Sequence, residues 1–172
     1  MRRGYIQVYT GNGKGKTTAA LGLSLRAAGA GHKVFFAQFI KTRRCSEHKA
    51  LERFGDLVTV RQYGRGFIIK RRPGKADIAA AQKGLEELRD IVSSGSYDLV
   101  ILDEINVAVH QGLVTIEDLL QLMGSKHRKT ELVITGRYVH EKAAEAADLV
   151  TEMKPIKHYA NKGVKARLGI EK

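Results

Sequence analysis

The sequence predicts an α/β fold in which a largely parallel central sheet of about six strands carries helices on both faces. Three observations lead to this prediction. Short apolar, β-branched runs alternate along the chain with stretches whose apolar residues recur at helical spacing. The short runs are apolar throughout, which is typical of parallel strands buried on both faces. A glycine-rich segment at 10–18 follows the first of these runs and precedes the first helix.

The elements can be placed in order from these runs and from the glycines between them. Strands are expected at 5–9, 33–40, 56–62, 97–102, 131–135 and 148–153. Helices are expected at 16–30, 46–54 and 75–94, around 116–123, and in the alanine-rich stretch after Arg137. Gly29 and Gly31 end the first helix, and Gly95 ends the one at 75–94. In the helix at 75–94 one face carries the apolar residues Ile78, Ala81, Leu85, Leu88 and Val92.

Length and composition fit one folded domain over residues 1–172. A chain of 172 residues is long enough to bury a substantial core. Its 43% hydrophobic and 28% charged residues are typical of a globular protein, and no linker, repeat or composition break marks a second domain. Only the basic tail from Lys154 onward, which has few apolar residues, has a composition compatible with disorder.

The chain is strongly basic, with a net charge of +12 and a pI near 9.9. The basic residues gather at 61–75 and 154–172. Such charge favours polyanionic partners, which include nucleic acid, an anionic membrane surface, and a small ligand with several phosphates or carboxylates. Charge alone does not choose among these partners.

The sequence indicates a cytoplasmic protein. Its N-terminus lacks the apolar segment of a signal peptide, and no apolar run is long enough to span a bilayer, so no membrane association is expected. Cys45 is the single cysteine, which excludes an internal disulfide and fits a reducing compartment.

The segment TGNGKGKTT at 10–18 has the pattern of a loop that binds nucleotide phosphates. Its glycines allow a sharp turn that gathers backbone N–H groups, and the following helix adds the positive end of its dipole. Lys16 supplies a mobile charge and Thr17 a hydroxyl suited to Mg²⁺. Thr10 stands where the consensus has glycine, so we expect an unusual way of holding phosphate. The predicted phosphate-binding residues are Gly11, Asn12, Gly13, Lys14, Gly15, Lys16, Thr17 and Thr18.

Two acidic residues, Asp103 and Glu104, end the most strand-like run of the chain. A carboxylate at this place can hold Mg²⁺ opposite Thr17, directly or through water, and either residue is a candidate ligand. The alternative is an acidic pair that caps the next helix. The phosphate loop favours the metal site, and the two motifs together predict the P-loop NTPase (RecA-like) fold.

The roles of three further features stay open on the residues alone. Arg137, in the sequence TGR, can neutralise phosphate, anchor a ribose, or simply be solvated. The six histidines show no metal-binding spacing, and His158 lies in the basic tail, where a lone histidine is more often solvated than bound to a ligand. The basic loop at 63–74 contains the apolar triplet 67–69, which is either a plug into the core or a platform for a flat ligand. On the residues alone, we expect the triplet to be a plug into the core.

Four stretches together resemble the P-loop family of ATP:corrinoid adenosyltransferases. They are TGNGKGKTTAALG, the DE after YDLVIL, ITGR, and KPIKHYANKGVKARLGIE. The resemblance runs over nearly the whole chain, and the ordered set is far more specific than the phosphate loop alone. It implies transfer of the 5′-deoxyadenosyl group of ATP to the Co(I) of a reduced corrinoid, in adenosylcobalamin biosynthesis or salvage. The leaving group is triphosphate.

The resemblance also implies roles for residues of the nucleotide site. Lys16, Glu104 and Arg137 are the expected catalytic residues. Thr17 and Glu104 are the expected Mg²⁺ ligands, with Asp103 beside them. Because Co(I) is itself a strong nucleophile, the reaction needs no general base; the protein has to align the ribose 5′ carbon and stabilise charge on the triphosphate.

For the corrinoid, the resemblance points to the loop at 63–74. Phe67 matches an aromatic residue that lies against the lower face of the corrin and helps displace the lower axial ligand. Ile69 stands where the family has a second aromatic residue. The resemblance therefore favours the ligand platform over the plug.

The implied partners are ATP, Mg²⁺, a corrinoid (cobalamin, cobinamide or cobyrinic acid diamide), a flavoprotein electron donor and a second copy of the chain in a homodimer. No nucleic acid is expected. Two alternatives remain on the residues. A RecA-like ATPase acting on nucleic acid would explain the net charge, although Tyr63 and Phe67 offer a thin stacking surface. A non-catalytic carrier of nucleotide or corrinoid would not explain the intact set of Lys16, Thr17 and Glu104.

Overall fold

The computed structural model describes residues 3–40, 45–66 and 73–171. Its centre is a six-stranded sheet with the order β3-β2-β4-β5-β1-β6, in which every neighbouring pair is parallel. The strands are β1 (Ile6–Thr10), β2 (Val34–Gln38), β3 (Val58–Gln62), β4 (Leu99–Asp103), β5 (Glu131–Thr135) and β6 (Leu149–Glu152). The prediction of an α/β fold on a parallel sheet is confirmed.

The helices alternate with the strands along the chain, as parallel connections require. They are α1 (Lys16–Gly29), α2 (Ser46–Leu51), α3 (Lys75–Ser94), α4 (Ile105–His110), α5 (Ile116–Gly124) and α6 (Glu141–Glu145). Short 3₁₀ turns follow α2 at Glu52–Phe54 and occur in the tail at Tyr159–Lys162. Among the described residues, no helix combines the length and apolar character needed to cross a membrane.

The core forms two layers because successive residues of a strand point to opposite faces of the sheet. In β2, Val34 and Phe36 pack with residues of α1 and α2, whereas Phe35 and Ala37 pack with residues of α3 to α6. The expected helices on both faces are therefore present. The face under α1 and α2 is the one on which the polar ends of four strands meet.

Three elements differ from the sequence-based expectations. Helix α4 was not predicted, because its sequence INVAVH is rich in residues that favour strands; the chain turns at Glu104, whose φ of 63° ends β4 and starts the helix. The helix expected at 46–54 is α-helical only to Leu51. Strand β6 lies at the sheet edge and all four of its residues are exposed, so the expectation of fully covered strands is wrong for this one.

The tail is folded back onto the phosphate loop. Gly13 N–H donates to Met153 O at 2.6 Å, directly after β6. Lys14 Nζ donates to the Tyr159 hydroxyl and to Glu171 Oε1, both at 2.9 Å. The composition of this segment suggested disorder, but the Lys14–Glu171 ion pair and the hydrogen bonds of Gly13 and Lys14, all between residues far apart in the sequence, hold it in place.

Candidate functional site: a phosphate-loop cleft at the carboxyl edge of the sheet

A row of polar side chains crosses the carboxyl edge of the sheet. Strands β3, β2, β4 and β5 are neighbours, and they end in Gln62, Gln38, Asp103 and Thr135. Gln38 pairs in register with both Gln62 and Asp103. Since side chains at paired positions of a parallel sheet lie on the same face, about 5 Å apart, each polar group is within hydrogen-bonding reach of its neighbour in the row.

Asp103 is the centre of this row and is fully buried. Its Oδ2 accepts a hydrogen bond from Gln38 Nε2 at 2.9 Å. Its Oδ1 accepts from Thr135 Oγ1 at 2.7 Å and from Thr17 Oγ1, at the start of α1, at 2.9 Å. A buried carboxylate is tolerated only with such partners, and these bonds fix the direction of both oxygens.

The phosphate loop connects β1 to α1 and is shaped by its glycines. Gly11 and Gly15 have φ of 93° and 123°, which favour glycine. A Cβ at Gly13 would lie 2.6 Å from Met153 O, so the loop rests against the backbone that follows β6. Thr10, which replaces the first consensus glycine, is the last residue of β1 and accepts from Met153 N–H at 2.9 Å. The turn therefore starts at Gly11, one residue later than in the consensus.

Lys16 lies inside this loop. Its ammonium donates to Gly11 O at 2.7 Å and to Gly13 O at 2.8 Å, and only 7% of the residue is exposed. Burial lowers the pKa of Lys16, while nearby Glu104 acts in the opposite direction. Gly15, at the N-cap of α1, offers no side chain to the first N–H groups of that helix. The loop thus presents a buried cation together with a helix N-terminus, the combination that binds phosphate.

A cleft of about 310 Å³ lies beside the loop. Glu104 and Arg137 reach it from the ends of β4 and β5. Glu104 keeps its left-handed backbone while its N–H donates to Thr135 Oγ1 at 3.0 Å. The cleft is lined by Asn12, Lys14, Gly15, Lys16, Thr17, Thr18, Glu104, Arg137, His158, Ile170 and Glu171.

The tail supplies a charged cluster to the rim of this cleft. The Glu171 carboxylate accepts from Lys14, from the Tyr159 hydroxyl, and from the backbone N–H and side chain of Arg167. These hydrogen bonds, that of Arg167 above all, hold the pKa of Glu171 well below its usual range. The Glu171 carboxylate thus holds the side chains of Lys14 and Arg167 beside the phosphate loop.

The structure brings together most of the predicted nucleotide residues and leaves the predicted corrinoid residues undescribed. Lys16, Thr17, Glu104 and Arg137 line one cleft, and Asp103 contacts Thr17. Among the predicted loop residues, Gly11 and Gly13 shape the turn, and the others border the cleft. Phe67 and Ile69 lie outside the described residues.

The oxygen donors present fit a Mg²⁺ ion. The Thr17 hydroxyl donates a hydrogen bond to Asp103, so its oxygen lone pairs stay available for a cation, and Glu104 borders the same cleft. Within the described part of the chain, no three His, Cys, Asp or Glu side chains form a metal-binding group. A site with few protein ligands suits Mg²⁺, which keeps several waters and binds substrate phosphates.

Sequence reasoning missed several residues of the site. Gln38 and Thr135 hold Asp103, yet the sequence shows them only as polar residues at strand ends. Glu171, Tyr159 and Arg167 reach the cleft rim through the folded tail. The only signal for these three was the motif-like tail itself.

The comparisons with known proteins agree on one family. Residues 2–171 match the family model described as ATP:corrinoid adenosyltransferase BtuR/CobO/CobP. The chain is 38% identical over 170 residues to a corrinoid adenosyltransferase of Escherichia coli K12, an alignment that covers 98% of this chain and 86% of that protein. Identity is 36% to the corrinoid adenosyltransferase CobA of Salmonella typhimurium and 35% to a corrinoid adenosyltransferase of Pseudomonas aeruginosa, again over 98% of this chain and over 86% and 84% of those proteins. The chain therefore belongs to the ATP:corrinoid adenosyltransferase family.

Proposed function

We propose that this chain transfers the 5′-deoxyadenosyl group of ATP to the cobalt of a reduced corrinoid, in cobalamin biosynthesis, and that it does so in the cleft beside the phosphate loop. The observation that carries the proposal is the family match over residues 2–171, because the cleft geometry alone would suit an ATPase equally well. The match gives no support to the alternative of an ATPase acting on nucleic acid.

In the proposed reaction, the electron pair of Co(I) attacks the ribose 5′ carbon of ATP. The bond between that carbon and the 5′ oxygen breaks, and the oxygen leaves with its electron pair as part of triphosphate. The cobalt is alkylated and formally becomes Co(III). Because the nucleophile is the metal of the substrate, no proton has to be removed. The cleft has to bind ATP, align its ribose 5′ carbon with the cobalt, and stabilise charge on the triphosphate.

The triphosphate is proposed to lie on the phosphate loop, held by the N–H groups and hydroxyls of residues 11–18 and by Lys16. The Lys16 ammonium already lies among the loop carbonyls of Gly11 and Gly13, so phosphate oxygens would replace partners that it has in the free protein. Arg137, which also lines the cleft, is proposed to stabilise charge on the triphosphate. Such fixed cations favour a leaving group whose negative charge grows as the bond breaks.

Mg²⁺ is proposed to bind at Thr17 and Glu104, with Asp103 holding the threonine hydroxyl in place. When bound, the ion would neutralise triphosphate charge. The left-handed backbone of Glu104 costs of order 1 kcal/mol for a non-glycine residue, and we interpret it as the conformation that brings this carboxylate to the cleft.

The corrinoid is proposed to bind against the loop at 63–74, with Phe67 at its lower face and Ile69 beside it. This part of the proposal rests on the sequence resemblance. A flavoprotein electron donor and a homodimer are proposed on the same basis. A single domain over 1–172 is proposed from the even composition of the chain, and a cytoplasmic location from its single cysteine.

The experiment that tests the function is an anaerobic product assay with Mg-ATP and chemically reduced corrinoid. Phosphorus NMR identifies the phosphate products, while absorbance follows the light-sensitive cobalt–carbon bond. We expect triphosphate and adenosylated corrinoid in equal amounts from the wild-type protein and neither from Lys16→Met. ADP and phosphate without alkylated corrinoid would exclude the proposal.

A further inference from the structure

We propose that His48 is a positioning residue for Mg-ATP, acting through Gln38 on Asp103. The inference rests on the proposed function, since it assigns Asp103 to the metal and phosphate site. His48 is in α2, on the face of the sheet that carries the polar row, and only 5% of it is exposed. The described residues that line the cleft do not include His48, and its hydrogen-bonded path to Asp103 runs through Gln38.

The hydrogen bonds of His48 determine which ring nitrogen carries the proton. Cys45 N–H donates to His48 Nδ1 at 2.8 Å, so Nδ1 bears a lone pair. The ring proton is therefore on Nε2, which lies 3.1 Å from Gln38 Oε1. His48 thus donates to Gln38.

That donation sets the orientation of the Gln38 amide, which is fully buried. Gln38 Oε1 accepts from His48 Nε2 and also from Gln62 Nε2, at 3.1 Å each. With its oxygen held by two donors, the amide must direct its NH₂ group to the other side, where Nε2 donates to Asp103 Oδ2. A rotated amide would place its oxygen against the carboxylate and repel it.

The chain of bonds ends at Thr17. Gln38 fixes one oxygen of Asp103, and the other oxygen accepts from the Thr17 hydroxyl. Since that bond turns the lone pairs of Thr17 toward the cleft, the geometry of the proposed metal site depends on the plane of the Asp103 carboxylate. Two residues, Gln38 and Asp103, therefore connect His48 to Thr17 through hydrogen bonds.

If His48 served only to cap α2, its side chain would need only one hydrogen-bonding atom. His48 is the third residue of α2 and caps it through Nδ1, which an asparagine or aspartate could also do. Capping does not require the second nitrogen. That nitrogen meets the buried amide of Gln38, whose second donor comes from the end of β3.

Two substitutions separate the two nitrogens. In His48→Asn the side-chain oxygen takes the place of Nδ1 and keeps the cap, but the side chain is too short to donate to Gln38, whose oxygen then keeps only the donor from Gln62. In His48→Gln the amide NH₂ takes the place of Nε2 and keeps the donor to Gln38, but the cap is lost. We expect His48→Asn to weaken Mg-ATP binding by roughly fivefold to tenfold, the effect of one lost hydrogen bond. His48→Gln should bind Mg-ATP within about twofold of the wild type.

The readout is calorimetric titration of each protein with ATP, once with Mg²⁺ and once with a chelator. A positioning role predicts that the loss in His48→Asn appears with Mg²⁺ and largely disappears in the chelator, and that KM for ATP changes more than kcat. Equal loss in both titrations, or a larger loss in His48→Gln than in His48→Asn, would overturn the inference. Unchanged Mg-ATP binding in a folded His48→Asn would overturn it as well.

A parallel titration of Asp103→Asn separates this inference from the proposed function. If Asp103→Asn binds Mg-ATP like the wild type, the assignment of the metal site is wrong and the positioning role falls with it. If Asp103→Asn loses affinity and folded His48→Asn does not, only the positioning role is wrong.

The unmutated protein offers a test that does not depend on the folding of variants. In ¹⁵N-histidine NMR spectra, with His48 assigned by the resonance missing in His48→Gln, we expect a bare Nδ1 and a protonated Nε2. A proton on Nδ1 would contradict the geometry and overturn the inference.

Discussion

The hydroxyl of Thr17 donates to Asp103 Oδ1 across 2.9 Å, which joins the first turn of α1 to the end of β4. The two residues are 86 positions apart in the sequence, and the bond places the phosphate loop next to the buried carboxylate. It also leaves the threonine oxygen available to a cation.

Replacing Thr17 by valine should weaken Mg-ATP binding by about tenfold or more, because the shape is kept while the hydroxyl is lost. Thr17→Ser is the matched control and should bind within a few-fold of the wild type. Calorimetric titration with Mg-ATP measures both. Equal affinity of the valine and serine variants would show that the hydroxyl does not serve the ion.

The affinity for ATP should fall with rising pH, and at a lower pH than an ordinary lysine would give. Burial lowers the pKa of Lys16 from the usual 10.5, so in the free protein the ammonium loses its proton below that pH. Phosphate needs the charged form, so affinity declines as pH rises through the lowered pKa. The free energy of unfolding should change in the opposite direction and rise with pH. Below the lowered pKa the folded protein has to bury a charged ammonium, which destabilises it, and this cost disappears as pH rises towards 10.5.

The measurement is ATP affinity as a function of pH, with Lys14→Met as control, because Lys14 is exposed and hydrogen bonds to Tyr159 and Glu171 raise its pKa. Lys14→Met should keep the alkaline decline at the same pH. A decline that starts only above 10.5 in the wild type would contradict the buried position of Lys16.

Gly13→Ala should destabilise the protein and abolish phosphate binding. Its Cβ would lie 2.6 Å from Met153 O, a backbone atom that cannot move without shifting the segment after β6. The control is Gly22→Ala, in the exposed part of α1 with nothing within 4 Å, where alanine should add roughly 0.5–1 kcal/mol of stability. Denaturant unfolding measures both. A neutral Gly13→Ala would mean that the loop does not rest on Met153.

Replacing Glu104 by asparagine should raise the stability of the protein and lower its activity. Asparagine tolerates the left-handed backbone better than glutamate does, so Glu104→Asn should gain a few tenths to about 1 kcal/mol of stability and lose activity. Glu104→Gln removes the charge but keeps the backbone preference, so it should lose activity without the gain. Thermal unfolding and the adenosylation rate separate the two effects. An active Glu104→Asn would exclude this carboxylate as a metal ligand.

The folded tail should detach in acid. The lowered pKa of Glu171 means that its ionised form favours the docked tail. That contribution is complete above the ordinary carboxyl pKa of 4.5 and is lost as pH falls below it, as the carboxyl group becomes protonated. The measurement is the protection factor of each amide at 159–171, which is the intrinsic exchange rate at a given pH divided by the observed rate.

Glu171→Gln should show at pH 7 the low amide protection that the wild type shows only in acid. Glu145→Gln, a change at an exposed glutamate of α6, should exchange like the wild type. Slow exchange in Glu171→Gln at pH 7 would show that this carboxylate does not hold the tail.

The sequence predicted what short-range patterns determine. The phosphate loop, the acidic end of β4 and all six strands could be predicted because their signals are local in the sequence. Helix α4 could not, since its β-branched residues favour a strand and only the turn at Glu104 makes it helical.

The remaining features of the site depend on contacts between distant residues. Lys14 meets Glu171 across 157 positions, and Gln38 meets Asp103 across 65. Nothing in the neighbourhood of either residue indicates its partner. The order β3-β2-β4-β5 places four strand-end side chains in one row, and that order exists only in the folded sheet.

The central claim is that the bond between the 5′ carbon and the 5′ oxygen of ATP breaks in this cleft. The most direct measurement uses ATP labelled with ¹⁸O at that bridging oxygen, in a single anaerobic turnover with reduced corrinoid. Mass spectrometry then locates the label. The proposed chemistry predicts that all of it appears in triphosphate and none in the adenosyl group; label retained on the nucleoside, with phosphate or diphosphate released, would contradict the account.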